Sequence, residues 1–259
     1  NWGLVCNGAV AIGALAIMGE SDSDYCAKLI SEAIRGIEKP MTLYADDGAW
    51  SEGLGYWEYA TRYFGYMMST MQNTLGNTYG YFNVKGIEET INYFVAHTGT
   101  TGVFNYGDCS ESMISAPVLL YLANQLERPD IAEARLNQMK QFSVSSSIDD
   151  ILFYQPNATA ELESHRNMKF DSVQVVTSAN SRANNMANYF AAKGGKAGIT
   201  HGDLDAGSFV IDSMGERWAS DLGGDSYTLS GYFDWGTRYQ YYRKKAEGHS
   251  TLVINPNEK

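Results

Sequence analysis

Two segments of the sequence carry side chains that could do chemistry. The first, residues 46–59, combines glycines, carboxylates and aromatic rings and leads into a predicted helix; it contains Glu52, Tyr56 and Trp57. Aromatic rings beside carboxylates offer a sugar both a flat apolar face and hydrogen-bond acceptors. The alternative is an ordinary helix start with a packed Trp, because surface loops often carry such residues. Composition alone leaves both interpretations open.

The second segment, residues 200–209, contains His201, Asp203 and Asp205. If the backbone is extended from His201 onward, the period of two places these three side chains on one face. Asp221 and His249 follow downstream and could converge on that face from neighbouring strands. Such a group could bind a metal ion, since zinc accepts His nitrogen and Asp oxygen, or form an acid/base pair. Dispersed Asp and His are more often solvated or capping groups, so spacing alone does not decide.

The elements that must position these side chains change character along the chain. In the first 140 residues, apolar residues recur at spacings of three and four, which is typical of helices, and the predicted helices come in pairs. They cover residues 4–18, 26–37, 56–75, 84–97, 113–126 and 130–139. Paired helices with small residues on one face favour stacked hairpins, as in a toroid or solenoid. No strict period is present, so a regular repeat family is not indicated.

After about residue 143, short alternating runs bounded by Gly, Asn, Asp and Pro replace the helical pattern. The runs are residues 151–154, 172–177, 189–193, 208–211, 239–243 and 251–254. This pattern predicts an antiparallel β-sandwich. We therefore expect an α+β multidomain chain, with an α domain at 1–142 and a β domain at 143–259. Ligand sites are common where such domains meet.

Composition narrows the functional classes. The 259 residues include 30 acidic and 19 basic side chains, for a formal net charge of −11. A general nucleic-acid binder needs clustered Lys and Arg, so this balance argues against one. No apolar run approaches the ~18 residues of a membrane span. The start of the chain does not look like a signal peptide.

Several of these motifs, in this order, resemble the heparinase II/III-like polysaccharide lyases over nearly the whole chain. The matching segments are residues 1–2, 5–8 and 47–57 in the first half, and 201–209, 212–218, 221–227 and 247–253 in the second. The resemblance implies an incomplete α/α toroid followed by an antiparallel β-sheet domain, with the active cleft between them. It also implies a chain that is truncated at both ends relative to a whole lyase.

The chemistry that this resemblance implies is β-elimination on a uronic-acid-containing polysaccharide, either a glycosaminoglycan such as heparin or heparan sulfate, or alginate. A proton leaves C5 and the C4–O4 bond breaks. The site must stabilise charge on the uronate carboxylate, and it needs a base for C5 and an acid for O4. The rival interpretation is a non-catalytic carbohydrate-binding relative or an inactive fragment. A glycosidase is less favoured, because it needs two carboxylates at a defined separation.

The resemblance also assigns roles by position. Tyr56 and His201 match the catalytic pair, and the group that neutralises the uronate carboxylate is Asn1 or Asn7, with Asn1 favoured. Independently of the resemblance, the position of Asp108 before a predicted helix suggests that it caps the helix N-terminus. Arg238 and Arg243 could bind a carboxylate or sulfate, or form surface ion pairs. The expected substrate-binding residues are Glu52, Trp57, Arg238 and Arg243.

Zinc ligands of the family map onto Asp203, Asp221 and His249, which implies a structural zinc ion. Many members have His in place of Asp203, and an anionic ligand there lets another divalent cation compete. The expected partner is an acidic polysaccharide or oligosaccharide, with no nucleic acid and no membrane, and the oligomeric state stays open. The resemblance implies a periplasmic or secreted bacterial protein.

Overall fold

The computed structural model describes residues 1–156, 160, 166–181 and 186–254. Each of the six helical segments that the sequence predicts contains an observed helix, so these predictions are confirmed. The helices are Trp2–Ile17 (α1), Ser23–Gly36 (α2), Glu38–Met41 (α3), Leu54–Leu75 (α4), Ile87–Ala96 (α5), Val118–Gln125 (α6), Pro129–Gln141 (α7), Ile148–Phe153 (α8) and Trp235–Arg238 (α9), with short 3₁₀ turns at Tyr81–Asn83 and Ala246–Gly248.

Helices α1 and α2 form a hairpin, and α1 also packs against α4. The turn between α1 and α2 ends at Asp22, whose side chain accepts a hydrogen bond from the Tyr25 N–H and so caps α2. Gly8 sits where α1 meets α4, and a Cβ at this position would lie 3.0 Å from the Tyr63 carbonyl oxygen. The small residues of α1 therefore permit the close approach of the two helices.

Helix α4 is the longest helix of the described residues and runs through the core. It begins after Gly53, whose φ of 84° lies in the region that favours glycine. Its Trp57 is completely buried, and the indole N–H donates to the hydroxyl of Thr90 on α5 at 2.7 Å. This packing fixes the first turn of α4, which carries Tyr56.

In the second half of the chain, the described residues form a five-stranded antiparallel sheet with strands in sequential order. The strands are Arg166–Phe170 (β1), Val175–Ala179 (β2), Tyr189–Lys193 (β3), Phe209–Ser213 (β4) and Glu216–Ala219 (β5). Alternate residues of β2 are buried, as expected for a sheet with one covered face. Phe170 packs edge-on against Tyr93 of α5 at a centroid distance of 5.4 Å, so the sheet rests on the helical half.

Three of the six predicted strands overlap β2, β3 and β4, and three are wrong. Residues 151–153 lie in α8, residues 239–243 form turns after α9, and residues 251–254 contain no strand. The described residues form a single sheet, so a second layer of a β-sandwich is not confirmed. Helix α8 lies beyond the expected domain boundary at 142/143, and that boundary stays a prediction.

Charged and polar contacts join the two halves. The Asp212 carboxylate on β4 accepts hydrogen bonds from the backbone N–H groups of Thr100 and Thr101 at 2.9 and 3.2 Å. The phenol of Tyr189 on β3 donates to the carbonyl of Ala96 at 3.0 Å. These buried contacts hold the sheet in one position on the helices. None of the helices in the described residues is long and apolar enough to cross a membrane.

Candidate active site

The side chains of Tyr56 and His201 meet at the junction of the two halves. Tyr56 lies in the first turn of α4, and His201 lies in the loop between β3 and β4. Their rings stack with centroids 4.0 Å apart and an interplanar angle of 29°. The structure therefore brings together the two residues that the resemblance assigns to catalysis.

The backbone at His201 is strained, and contacts with Gly107 and Asp108 hold it in place. His201 has a φ of 57°, in the left-handed region that non-glycine residues rarely occupy. Its carbonyl oxygen accepts a hydrogen bond from the Asp108 N–H at 3.0 Å. Gly107 lies so close that a Cβ there would be 2.7 Å from the same oxygen. Strain of this kind persists only where the surroundings over-determine it.

Residues 105–109, which we call the docking loop, hold this arrangement from the helical half. The Asn105 side-chain amide donates to the Asp221 carbonyl at 3.0 Å. The Gly224 N–H donates to the Cys109 carbonyl, also at 3.0 Å. A Cβ at Gly223 would be 2.1 Å from that carbonyl oxygen. The docking loop thus contacts both the His201 loop and residues 221–224.

Asp108 lies on the docking loop with its side chain fully buried beneath His201. One carboxylate oxygen lies 2.9 Å from His201 Nδ1, and the other accepts hydrogen bonds from Arg238 at 2.8 Å and from the Tyr232 phenol. Lys244 Nζ lies 3.0 Å from that second oxygen. Burial alone would favour the protonated acid. The hydrogen bonds from His201 and Arg238 and the charge of Lys244 nevertheless hold the pKa of Asp108 well below its usual range.

Asp108 is a residue of the candidate site that the sequence does not reveal. The expected helix cap is wrong, because the next helix, α6, begins only at Val118. The carboxylate instead contacts residues far along the chain, from His201 to Lys244. No local pattern signals such contacts.

A second tyrosine joins the pair. The Tyr56 and Tyr227 hydroxyl groups are hydrogen-bonded to each other, and the Tyr227 hydroxyl lies 3.4 Å from Asp108 Oδ2. Burial raises the pKa of Tyr56; the hydrogen bond to Tyr227 opposes this change, and the charges of Asp108 and Glu52 reinforce it. Tyr56 therefore holds its proton at neutral pH and can act as a proton donor.

The two candidate neutralising residues lie in different places. The Asn1 side-chain amide donates to Glu52 Oε2 at 3.0 Å, and the charge of Glu52 is close enough to raise the pKa of Tyr56. Asn1 is thus bonded to a carboxylate whose charge acts on Tyr56. Asn7 instead donates to the Gly3 carbonyl at 2.7 Å, and its Oδ1 faces Gly36 of α2. The Asn1 amide therefore contacts a charged residue that influences Tyr56, whereas the Asn7 amide bonds within its own helix, and the assignment of Asn1 as the neutralising residue stays a prediction.

Two of the four expected substrate contacts are wrong in this structure. Trp57 is 0% exposed in the core, where no polysaccharide can reach it. Arg238 is 4% exposed, and its guanidinium is bound by Asp108 and Asp203. Arg243 remains a candidate, since its side chain is 45% exposed and bonds to the Leu222 carbonyl at 2.7 Å.

Asp203, one of the two acids expected to bind metal, is already paired with basic side chains. Lys244 Nζ lies 3.1 Å from one of its oxygens and Arg238 Nη2 lies 3.1 Å from the other. All three side chains are nearly or completely buried. The charge that a divalent cation would balance is therefore balanced from within the chain.

The donor atoms of the expected zinc ligands also do not face one point. His249 Nδ1 lies 2.9 Å from Asp221 Oδ2, whereas Nε2, on the other side of the ring, lies 3.9 Å from Asp203 Oδ2. Among the residues that the structure describes, no group of three or more His, Cys, Asp or Glu is arranged to hold a metal ion. In this arrangement Asp203, Asp221 and His249 do not fit a zinc site, and the zinc ion stays a prediction without a role in the mechanism.

An open polar cleft of about 480 Å³ adjoins the stacked pair. It is lined by Asp108, Ser110, Glu111, Leu222, Gly224, Asp225, Tyr227 and Arg243. Beside it, the Phe233 ring is 59% exposed and stands nearly perpendicular to the rings of Tyr227 and His201, at 4.9 and 6.2 Å. An exposed ring held by other rings is suited to pack against a sugar.

Comparison with known proteins supports the assignment of the fold. No protein-family model and no curated protein sequence matches the chain. Solved structures do match it. A structure of heparinase III has a TM-score of 0.68 and 16% identity over 97% of this chain and 38% of its own. A heparan sulfate lyase mutant from Pedobacter heparinus has a TM-score of 0.65 and 13% identity over 97% of this chain and 37% of its own. A heparinase III with methylated lysines has a TM-score of 0.63, with 16% identity.

These similarities show that the chain has a heparinase-like lyase fold. The chain spans a little over a third of the length of the structures it matches.

Proposed function

We propose that this chain is part of a polysaccharide lyase that cleaves a glycosaminoglycan by β-elimination. The observation that carries the proposal is the stacking of Tyr56 on His201 at the junction of two halves with a heparinase-like fold. Elimination needs an acid and a base close together, and this pair supplies a phenol and an imidazole. The matched structures are described as heparinase III and heparan sulfate lyase, which supports this class of substrate.

In the proposed reaction, Asn1 donates a hydrogen bond to the uronate carboxylate and stabilises the charge that develops there. His201 Nε2 takes the proton from C5, and the electron pair of that C–H bond forms the C4–C5 double bond. The C4–O4 bond breaks, and Tyr56 gives its proton to O4. Proton transfer from His201 back to Tyr56 restores the starting state. The raised pKa of Tyr56 suits the donor role, because the phenol is protonated when the substrate binds.

The charge of the cleft favours a sparsely sulfated polymer. Arg243 can meet one substrate anion, but Glu111 and Asp225 line the same cleft with side chains that are 55% and 32% exposed. Like charges placed opposite each other disfavour a wrong partner. We therefore expect faster cleavage of an unsulfated or lightly sulfated uronate polymer than of heparin. Because such polymers lie outside the cytoplasm, a secreted or periplasmic location follows as part of this proposal.

The test is to incubate the protein with heparan sulfate, heparin, their desulfated form and alginate. Ultraviolet absorbance of the unsaturated uronate and the mass of the products separate elimination from hydrolysis, since hydrolysis adds a water and leaves no double bond. Unsaturated products from heparan sulfate support the proposal. Sugar binding without any product from the panel contradicts it and favours the carbohydrate-binding alternative.

A further inference from the structure

The Asp108 carboxylate connects the two parts of the site. It contacts His201 through Oδ2 at 2.9 Å, and Tyr227, which is bonded to the Tyr56 hydroxyl, lies 3.4 Å from the same oxygen. Its side chain is completely buried. One buried anion therefore lies within hydrogen-bond reach of the imidazole and of the phenol that contacts Tyr56.

The other oxygen of Asp108 is fixed by cations. Arg238 donates to Oδ1 at 2.8 Å, and Lys244 Nζ lies 3.0 Å from it, with both side chains buried. Tyr232 donates to the same oxygen, and the Arg238 guanidinium lies 4.6 Å from the centre of the Tyr232 ring. These contacts prevent rotation of the carboxylate, so Oδ2 stays directed at His201.

An ionised carboxylate can only accept hydrogen bonds. A neutral His201 must therefore carry its proton on Nδ1, which leaves Nε2 as the unprotonated nitrogen. A ring in the opposite tautomer would place an N–H where the lyase reaction needs an acceptor. The contact thus selects the tautomer as well as the orientation of the ring.

We propose that Asp108 is a positioning residue that holds His201 as its Nδ1–H tautomer, with Nε2 ready to accept the C5 proton. The tautomer assignment stands on the contact geometry alone, whereas its use in catalysis rests on the proposed lyase function. Asp108 does not touch the substrate and acts through His201.

The test is nitrogen-15 NMR of the histidine rings, since long-range proton–nitrogen spectra distinguish the two neutral tautomers. His201 is assigned by the loss of its signals in His201→Gln. We expect the Nδ1–H form in the wild-type protein. In Asp108→Asn, Arg238 and Lys244 hold the amide oxygen on their side. The amide NH₂ then faces His201, and we expect the ring to switch to the Nε2–H form.

Tyr232→Phe is the matched control, because it removes a hydrogen bond to Oδ1 and leaves the contact of Oδ2 with His201. We expect this variant to keep the Nδ1–H form. An Nε2–H ring in the wild-type protein overturns the proposal even if Asp108→Asn does not fold. An unchanged tautomer in folded Asp108→Asn also overturns it.

Kinetics separate this proposal from the proposed function. If the protein cleaves heparan sulfate, we expect Asp108→Asn to lower kcat by about 10³–10⁴, as a wrong tautomer does in serine proteases, with a much smaller change in KM. An unchanged kcat in a variant with a switched tautomer overturns the catalytic use. If the wild-type protein cleaves nothing, the lyase function fails, while the tautomer result still decides the role of Asp108.

Discussion

The rings of Tyr56 and His201 stack at a centroid distance of 4.0 Å although they come from the two halves of the chain. Tyr56 owes its place to the packed first turn of α4, and His201 owes its place to the docking loop. The geometry of the candidate reacting pair therefore depends on the contact between the halves.

Replacement of Tyr56 by Phe should remove the proton donor and leave the stacked ring. We expect kcat for elimination to fall by about 10²–10⁴, the usual contribution of general acid catalysis. The measurement is the initial rate of unsaturated-uronate absorbance. Tyr59→Phe, on the same helix and in ring contact with Trp2, is the control and should keep wild-type activity. Equal rates for Tyr56→Phe and the wild type would rule out the phenol as the acid.

Replacement of Phe233 by Ala should weaken substrate binding, because the exposed ring beside His201 is lost. An aromatic contact is worth about 0.5–1.5 kcal/mol, so we expect KM to rise by about 2- to 10-fold with little change in kcat. Trp218→Ala is the control, since this ring is even more exposed than Phe233 and lies on β5. A similar KM for Phe233→Ala and Trp218→Ala would exclude Phe233 from the binding surface.

Lys244 should be essential for stability. Its ammonium group is fully buried between Asp108 and Asp203, so Lys244→Met leaves buried negative charge without part of its compensation. We expect a loss of about 3–5 kcal/mol in the free energy of unfolding, measured with urea. Lys85→Met is the control, because Lys85 and Asp46 form an exposed pair worth at most about 1 kcal/mol. Similar losses for the two variants would contradict this account of the cluster.

His97 should make the protein less stable in mild acid. Burial lowers the pKa of His97 from 6.5 to about 4, and the hydrogen bond to the Tyr93 carbonyl only partly offsets this. As pH falls from 6.5 towards 4, the unfolded chain binds a proton that the folded protein excludes, so stability decreases across that window.

At about pH 4.5 we expect a loss of roughly 2.5 kcal/mol in the free energy of unfolding from His97, relative to about pH 7.5. His97→Phe keeps a ring against Phe104 and removes the titration. The measurement is urea unfolding of both proteins at the two pH values. The same pH dependence in the variant would show that another group causes the loss.

The sequence predicts the helices well because their buried faces are set by local spacing. The sequence predicts the strands less well than the helices. Residues 151–154 look like a short apolar strand, but Ser147 and Asp150 form a capping box, so the segment is helical. That signal is present in the sequence and could have corrected the assignment. Residues 239–243 are rich in aromatic residues but form turns. Their rings pack locally: Tyr241 donates to the Ser230 carbonyl, and its ring lies near that of Tyr232.

The residues of the candidate site also divide into those that the sequence predicts and those that it does not. Tyr56, His201 and Asn1 can be named from motifs along the sequence; the structure brings the rings of Tyr56 and His201 together at the junction and bonds Asn1 to Glu52. Asp108 and Tyr227 could not, because their roles come from contacts between distant parts of the chain. Trp57 and Arg238 were misassigned since their types suit a binding surface, whereas burial decides that they pack inside.

Because the docking loop connects the two halves, activity should depend on how closely the two halves fit together. Apart from the buried charged contacts of Asp108, the loop meets its neighbours through single hydrogen bonds and glycine-sized approaches, so a small displacement of the loop would move His201 away from Tyr56. A misplacement of about 1 Å can cost a factor of about 100 in rate. As denaturant is added, activity should therefore be lost before helix and sheet, so that the protein becomes inactive while it is still folded.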